Sequence, residues 1–291
     1  MIGKYRFIQD GAVVAEGTNL ITTEGRRVIL DSISGNLPSK LVGSLAVGVG
    51  STAAATSDVT LDFEVSRVDV DVSTPDYVNE SVIYKADFPV QSEFIAYEAG
   101  AYYSDSEVLA GDSYLILNID QDYDTWTAGT YNSTNSRLGE ALRLTATTSG
   151  TTTSDQAVNA LDLSQYSNSD EFVMALYSSG NTSNVKVQFK TDGSNYYEIT
   201  ASSPSTGYGI YSVTKGSASS TGSPDWSNIT TVTVSITATG GGSTTVDFDG
   251  LRVEDVDSRR DDNTLVSRSV LGTQVTKVAG IPMTIEYEIT I

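Results

Sequence analysis

The chain has 291 residues, of which 37 are acidic and 17 basic, giving a formal charge of −20, and it contains neither Cys nor His. The length leads us to expect about two domains, and the charge repels phosphate backbones and anionic membrane surfaces, which argues against nucleic acid as a partner. Without Cys or His there is no disulfide framework, no thiolate or imidazole metal site, no Ser-His-Asp triad and no Cys nucleophile.

Charged residues make up only 19%, while Ser, Thr, Gly and Tyr are abundant, a composition of strands and turns rather than of long amphipathic helices. The opening MIGKYRFIQDGAVVAEG has no basic stretch leading into an apolar one, and no later run reaches the length a membrane helix needs. Neither a signal peptide nor membrane insertion is therefore expected.

In chain order, the first element predicted is a helix, capped by Thr22 or Thr23, carrying Val28, Ile29 and Ile33 on its apolar face and ended by Gly35. Strands follow. Val65, Val68, Val70 and Val72 nearly alternate in EVSRVDVDVS, and Val82, Tyr84, Ala86 and Phe88 alternate in SVIYKADFPV, as half-buried antiparallel strands do. The Gly-rich LAVGVGST lacks a P-loop lysine and reads as a turn.

Composition shifts near Ser106. From there to about residue 260 polar tracts such as TATTSGTTTSD, YSSGNTSN and TATGGGSTT separate strand candidates: YLILNI, ALRLTAT, EFVMALY, VKVQFK, YYEIT, TTVTVSIT and TTVDFDGLRV. After the charged run EDVDSRRDDN the earlier style returns. The last segment, MTIEYEITI, places Met283, Ile285, Tyr287, Ile289 and Ile291 on one face. The expected fold is mainly β: an assembly domain of residues 1–106 plus 261–291 with one short helix, interrupted by an inserted antiparallel β-sandwich (jelly roll) of residues 107–260.

The outer segments NLITTEGRRVILDSISG, LAVGVGSTAAATSDVTLDFEVSR, VIYKADFP, EFIAYEAGAYY and LVSRSVLGTQVTKVAGIPMTIEYEI resemble a β-rich structural protein of tailed bacteriophages. The resemblance implies a virion component assembled in the host cytoplasm, of tail-fibre, collar or baseplate type. Its framework positions fall on Glu64, Arg67, Glu98 and Arg268, none implied to be catalytic. The insert, with ILNIDQDYDTW, LDLSQYSNSDEFVMALY, SPDWSNITTVTVSIT and TTVDFDGLRVED, resembles jelly-roll carbohydrate-binding modules, which implies a host-surface polysaccharide as ligand. Neither resemblance brings a catalytic motif, so no enzymatic activity is expected; the alternative is a decoration or baseplate protein that binds no glycan.

For sugar contact the useful groups are aromatic faces flanked by amides and carboxylates; Tyr196, Tyr197, Tyr208, Tyr211 and Trp226 are the candidates. Tyr196 and Tyr197, adjacent in one strand, point to opposite faces, so the pair offers one contact. Trp226 sits on a turn, where exposure is expected, whereas Trp126 reads as core. Asp120, Asp122 and Asp124 near the first insert strand and Asp247, Asp249 and Asp255 near the last are the oxygen ligands for a structural Ca²⁺, with Asp120, Asp122 and Asp249 foremost, or else a solvated acidic rim. Other virion proteins and further copies of the chain, as a homotrimer, are the expected protein partners, with loops 36–44 and 50–60 as contact points.

Overall fold

The computed structural model describes residues 2–35, 41–103, 114–119, 126–256 and 264–290. The chain begins with β1 (Ile2–Gln9), β2 (Ala12–Thr18), β3 (Leu20–Ile21), α1 (Thr23–Ser34), β4 (Ser44–Gly48), β5 (Glu64–Asp69), β6 (Val72–Asp76), β7 (Ser81–Phe88) and β8 (Phe94–Tyr103). It continues through β9 (Tyr114–Asn118), β10 (Thr130–Asn132), β11 (Ala141–Ala146), β12 (Thr151–Leu161), β13 (Glu171–Ser178), β14 (Thr182–Lys190) and β15 (Tyr196–Ser202). Last come β16 (Gly207–Thr214), β17 (Ser219–Thr221), β18 (Ile229–Ala238), β19 (Thr244–Glu254), β20 (Thr264–Lys277) and β21 (Met283–Thr290). The chain divides into two compact units, 1–111 with 257–291, and 112–256; the reading from sequence put the cuts at 106/107 and 260/261.

The outer unit is two five-stranded antiparallel sheets, ordered β2-β1-β21-β7-β6 and β3-β20-β8-β4-β5. Their facing sides share one core that includes Tyr5, Phe7, Leu45, Val47, Tyr84, Phe88, Phe94, Ile285 and Tyr287. The alternation in β7 and β21 is realised in register: Tyr5 opposes Tyr287, which opposes Tyr84, and the three rings stack at centroid separations of 4.6 and 6.3 Å. Burial pushes the Tyr5 and Tyr287 phenols upward in pKa, so both remain neutral hydrogen-bonding groups, Tyr5 on Ser267 and Tyr287 on Asn19.

Helix α1 starts where the sequence predicts. The Thr22 hydroxyl accepts from the Gly25 amide at 2.9 Å and donates to the Leu265 carbonyl, so the cap also fastens the helix to β20. Gly25 faces β20 so closely that a Cβ there would lie 2.0 Å from the Val266 carbonyl oxygen, and Gly35 closes the helix at φ +79°. The apolar face is narrower than predicted: Val28 and Ile29 are buried, but Ile33 is 77% exposed, because the underlying sheet ends at β3, a strand of two residues.

The four framework residues form two ionic centres. Glu98 on β8 is fully buried; it accepts the amides of Gly50, Phe63 and Asp62 at 3.0 to 3.1 Å and the Arg268 guanidinium at 2.8 to 2.9 Å. Arg268 in turn holds Asp58 and Asp62, both at 2.8 Å, and the Thr52 carbonyl. Loop 50–60, expected to meet neighbouring subunits, is thus tied from within its own unit. In the other predicted contact loop, residues 36–40 lie outside the described residues, while Val42 and Ser44 are buried. Glu64 and Arg67 pair through Nε and Oε1 at 2.8 Å, and the Arg67 guanidinium lies 3.6 Å from the Tyr102 ring centroid.

The inserted unit is an antiparallel sandwich. One sheet runs β10-β11-β19-β13-β16, with β9 also on β19, and the other runs β12-β18-β14-β15-β17. Its core is almost wholly apolar, with Leu142, Leu144, Phe172, Met174, Leu176 and Phe248 from the first sheet meeting Val187, Phe189, Val232, Val234 and Ile236 from the second. The junctions suit an insertion: Tyr103 at the end of β8 opposes Thr264 at the start of β20, and Tyr114 on β9 opposes Val253 on β19. Each unit therefore offers its two connecting ends side by side, so joining them costs little loop-closure entropy.

Candidate functional site

Side chains in a strand alternate between faces, so each core residue of the six-stranded sheet fixes its neighbours outward. Phe172, Met174 and Leu176 point in, which turns Val173, Ala175 and Tyr177 out; Val246 and Phe248 point in, which turns Asp247 out; Leu142 and Leu144 point in, which turns Arg143 out. Strand register then sets Arg143 opposite Asp247, Asp247 opposite Tyr177 and Tyr177 opposite Tyr208. A shift of register between Ala175 and Leu176 leaves Asp249 without a ladder partner on β13, the local irregularity by which bulges re-aim a side chain.

Both aspartates are fully buried and satisfied by hydrogen bonds. Asp247 takes a two-pronged ion pair from Arg143, Nε to Oδ1 at 2.6 Å and Nη2 to Oδ2 at 2.8 Å, and accepts the amides of Asn132 and Asn135 at 3.0 and 2.7 Å. Asp249 accepts the Ser136 hydroxyl, the Arg137 backbone amide and the Tyr208 hydroxyl at 2.5, 2.8 and 2.5 Å. The hydrogen bonds that Arg143 donates to Asp247 raise the Arg143 pKa further, whereas burial pushes the Asp249 carboxyl up against the pull of its hydrogen-bond donors. The Arg137 guanidinium covers the Tyr208 ring at 4.1 Å. Residues 132–137 are thereby clamped onto the sheet by two carboxylates, and Tyr177, Tyr208, Arg143 and Arg137 remain half-buried beside them.

The aromatic residues singled out from sequence do not converge. Tyr208 stands on this face. Tyr196 is half-buried on β15, opposite Lys190 and Thr221, on the other sheet. Tyr197 and Tyr211 pack against the core, Tyr197 donating to the Pro224 carbonyl at 3.0 Å and Tyr211 accepting the Ser205 amide at 3.1 Å. Trp226 is not an exposed platform: it stacks on Tyr197 at 3.9 Å and 2° and meets Phe172 and Phe189 at 5.6 and 5.4 Å. The turn that carries it folds over the open end of the sandwich, where a large ring shields more apolar surface than it would in water. Trp126 is buried in the same core, as read from sequence.

Asp120, Asp122 and Asp124 lie outside the described residues, and among the described residues no group of three or more His, Cys, Asp or Glu side chains is placed to hold a metal. Asp249 is held by three protein donors. Sequence reasoning missed Arg143, Tyr177, Asn132, Asn135 and Arg137. The parity of EFVMALY and TTVDFDG held the signal for Tyr177 and Asp247, but the pairing register was needed to put them in one row.

No family model matches the chain, and no curated protein matches it. Among solved structures, a family 11 carbohydrate-binding module from Clostridium thermocellum in complex with a β-1,3-1,4-mixed-linked tetrasaccharide is similar at 13% identity and TM-score 0.33, over 53% of this chain and 94% of that one. CBM28, a non-crystalline cellulose specific carbohydrate-binding module, is similar at 14% identity and TM-score 0.33, over 53% and 98%. An exo-β-agarase is similar at 10% identity and TM-score 0.38, over 49% of this chain, which spans only 25% of that enzyme. The fold class rests on the strand pairing described above, a mainly β chain with an antiparallel sandwich.

Proposed function

We propose that the chain is a structural component of a tailed-phage particle whose inserted sandwich binds host-surface polysaccharide through the outer face of the six-stranded sheet. The observation that carries the glycan reading is the row Arg143–Asp247–Tyr177–Tyr208, reinforced by Asn132, Asn135 and Arg137. The Tyr177 ring offers an apolar face to a pyranose beside Tyr208, whose ring is covered by Arg137, and guanidinium and amide groups already held by carboxylates offer donors to its hydroxyls without having to be ordered on binding. The virion setting is supported by the resemblance of the outer segments. We propose a non-enzymatic role: the two carboxyls that burial pushes up in pKa among the described residues, Asp249 and Glu98, are fully buried among their own donors rather than open to a substrate.

A specific observation favours the purely structural alternative, because Asp247 and Asp249 are already saturated by groups of the same unit. The two readings part on one experiment. The full chain and its Tyr177→Ala variant are tested for binding to host cells and to purified envelope polysaccharide, with and without a Ca²⁺ chelator. Saturable binding weakened about tenfold or more in the variant supports the site, and chelator sensitivity would bring the Asp120 and Asp122 ligands into play. Equal binding by both proteins removes this face from the reading, and no binding by either, even multivalently displayed, leaves the decoration role.

A further inference from the structure

The outer unit exposes two features that the glycan reading leaves unused. The first is the turn between β6 and β7. Tyr77 and Val78 are 89% and 90% exposed, more than any other large apolar side chain among the described residues. The turn is nonetheless built to be rigid: the Asp76 carboxylate accepts the amides of Val78 and Asn79 at 2.9 and 3.1 Å and the Asn79 side-chain amide at 2.8 Å. Glu80, at φ +53°, follows directly. An apolar pair on a preformed tip with an adjacent carboxylate loses little conformational entropy on docking.

The second is a groove of about 660 Å³ lined by Leu20, Ile21, Ile29, Leu30 and Ile33, with Asn19 and Arg26 at its polar margin. Its volume falls in the range, roughly 300–1,000 Å³, of clefts that accept a compact group. It exists because α1 overhangs the short β3, which leaves Leu30 and Ile33 in water at 66% and 77% exposure. Arg27 pairs with Glu24, but Arg26 has no ion-pair partner among the described residues in a chain that carries a net charge of −20.

We infer that the Tyr77–Val78 tip of one copy seats in the groove beside α1 of a second copy, with Glu80 facing Arg26, giving a head-to-tail contact between identical chains. Apolar tip meets apolar groove and the acidic flank meets Arg26, so apolar character and charge agree on the same pairing. In the described structure the tip is in water, so its own groove is not its seat. Because knob and socket are different surfaces, the contact is heterologous, and repetition closes a ring such as a trimer or extends a filament, rather than stopping at a two-fold dimer.

Sedimentation analysis of the full chain over a concentration series tests this, with Tyr77→Ser plus Val78→Ser as the tip variant and Leu30→Gln plus Ile33→Gln as the groove variant. All four positions are exposed, and a circular dichroism melt checks that each variant keeps its fold. We expect wild-type assemblies larger than a dimer, at least about tenfold weaker self-association in either variant alone, and a dimer but nothing larger when the two variants are mixed, since each retains one intact surface. Exchanging charges as Arg26→Glu with Glu80→Arg should restore part of what either substitution loses alone. A wild-type chain that stays monomeric throughout, an oligomer that survives both variants, or a mixture that stays monomeric would each overturn the inference; in the last case the tip or groove serves another partner.

Discussion

Two charged centres, Arg268–Glu98 in the outer unit and Arg143–Asp247 in the inserted one, are placed in opposite ways. In the outer unit Arg268 and Glu98 sit inside the fold, on neighbouring strands, and hold a long loop from beneath. In the inserted unit the space between the sheets is almost wholly apolar and the charged groups Arg143, Asp247 and Asp249 lie on the sheet's outer side, holding residues 132–137 from the edge. A buried ionic centre specifies one arrangement of a loop at a high desolvation cost, whereas an apolar core with a polar outer face leaves its fixed donors next to solvent. The first arrangement suits a scaffold and the second a surface that meets something.

The contrast is broken most severely at Arg268. Arg268→Met would leave Glu98, Asp58 and Asp62 without their shared cation, and an uncompensated buried charge costs roughly 3–5 kcal/mol. The damage should stay in the outer unit. Both tryptophans, Trp126 and Trp226, belong to the inserted unit, so tryptophan fluorescence should still report its melting unchanged while circular dichroism reports an early transition. Loss of both transitions together would show that the units unfold as one.

Trp226→Ala comes next. A half-buried ring stacked on Tyr197 and facing Phe172 should cost about 2–4 kcal/mol, somewhat under the 3–5 of a fully enclosed aromatic, read as a lower midpoint in denaturant from the remaining Trp126 signal. Ligand binding at temperatures where the variant is folded should be unaffected. Weakened binding with unchanged stability would restore Trp226 as a contact residue.

The smallest expected effect is a pH dependence at Asp249. Burial raises its folded pKa above the unfolded value, so the folded state holds its proton more tightly. The stability this contributes is complete below the unfolded aspartate pKa and is lost as pH rises through the folded one. The inserted unit should therefore melt higher on mild acidification just above the ordinary aspartate range, and Asp249→Asn should flatten that profile. An unchanged profile in the variant would mean that the Asp249 carboxylate is ionised throughout, held by its hydrogen-bond donors.

Several elements were legible because a local rule was enough. The period-two runs of β7 and β21, the Thr22 cap and the Gly35 stop need only neighbouring residues to be read. The LAVG of LAVGVGST, expected as a turn, is instead part of the fully buried strand β4, paired with both β5 and β8, and strands β12 and β16 were among those not predicted. The former, TTTSDQAVNAL, turns Ser154 and Gln156 inward as buried polar residues, and the latter, GYGIYSVT, is glycine-rich. Each ends its path of paired strands, where pairing on one side sustains a segment that hydropathy would leave as loop. The candidate site was half legible: the alternation of TTVDFDG against its core residues marks Asp247 as outward, yet nothing local says that Arg143, Tyr177 and Tyr208 stand beside it.

The sequence by itself determined the mainly β class, the interruption of one domain by another and the absence of Cys and His chemistry, because composition and short-range period carry those. The tertiary structure decided which face of each strand met solvent beside which neighbour. It put Trp226 over the sandwich end, Arg268 under a loop more than two hundred residues earlier in the chain, and Tyr177 beside Asp247 and Tyr208. The physical reason is that strand register is fixed by long-range pairing and core burial together, and a shift of one residue would have turned a different set of side chains outward.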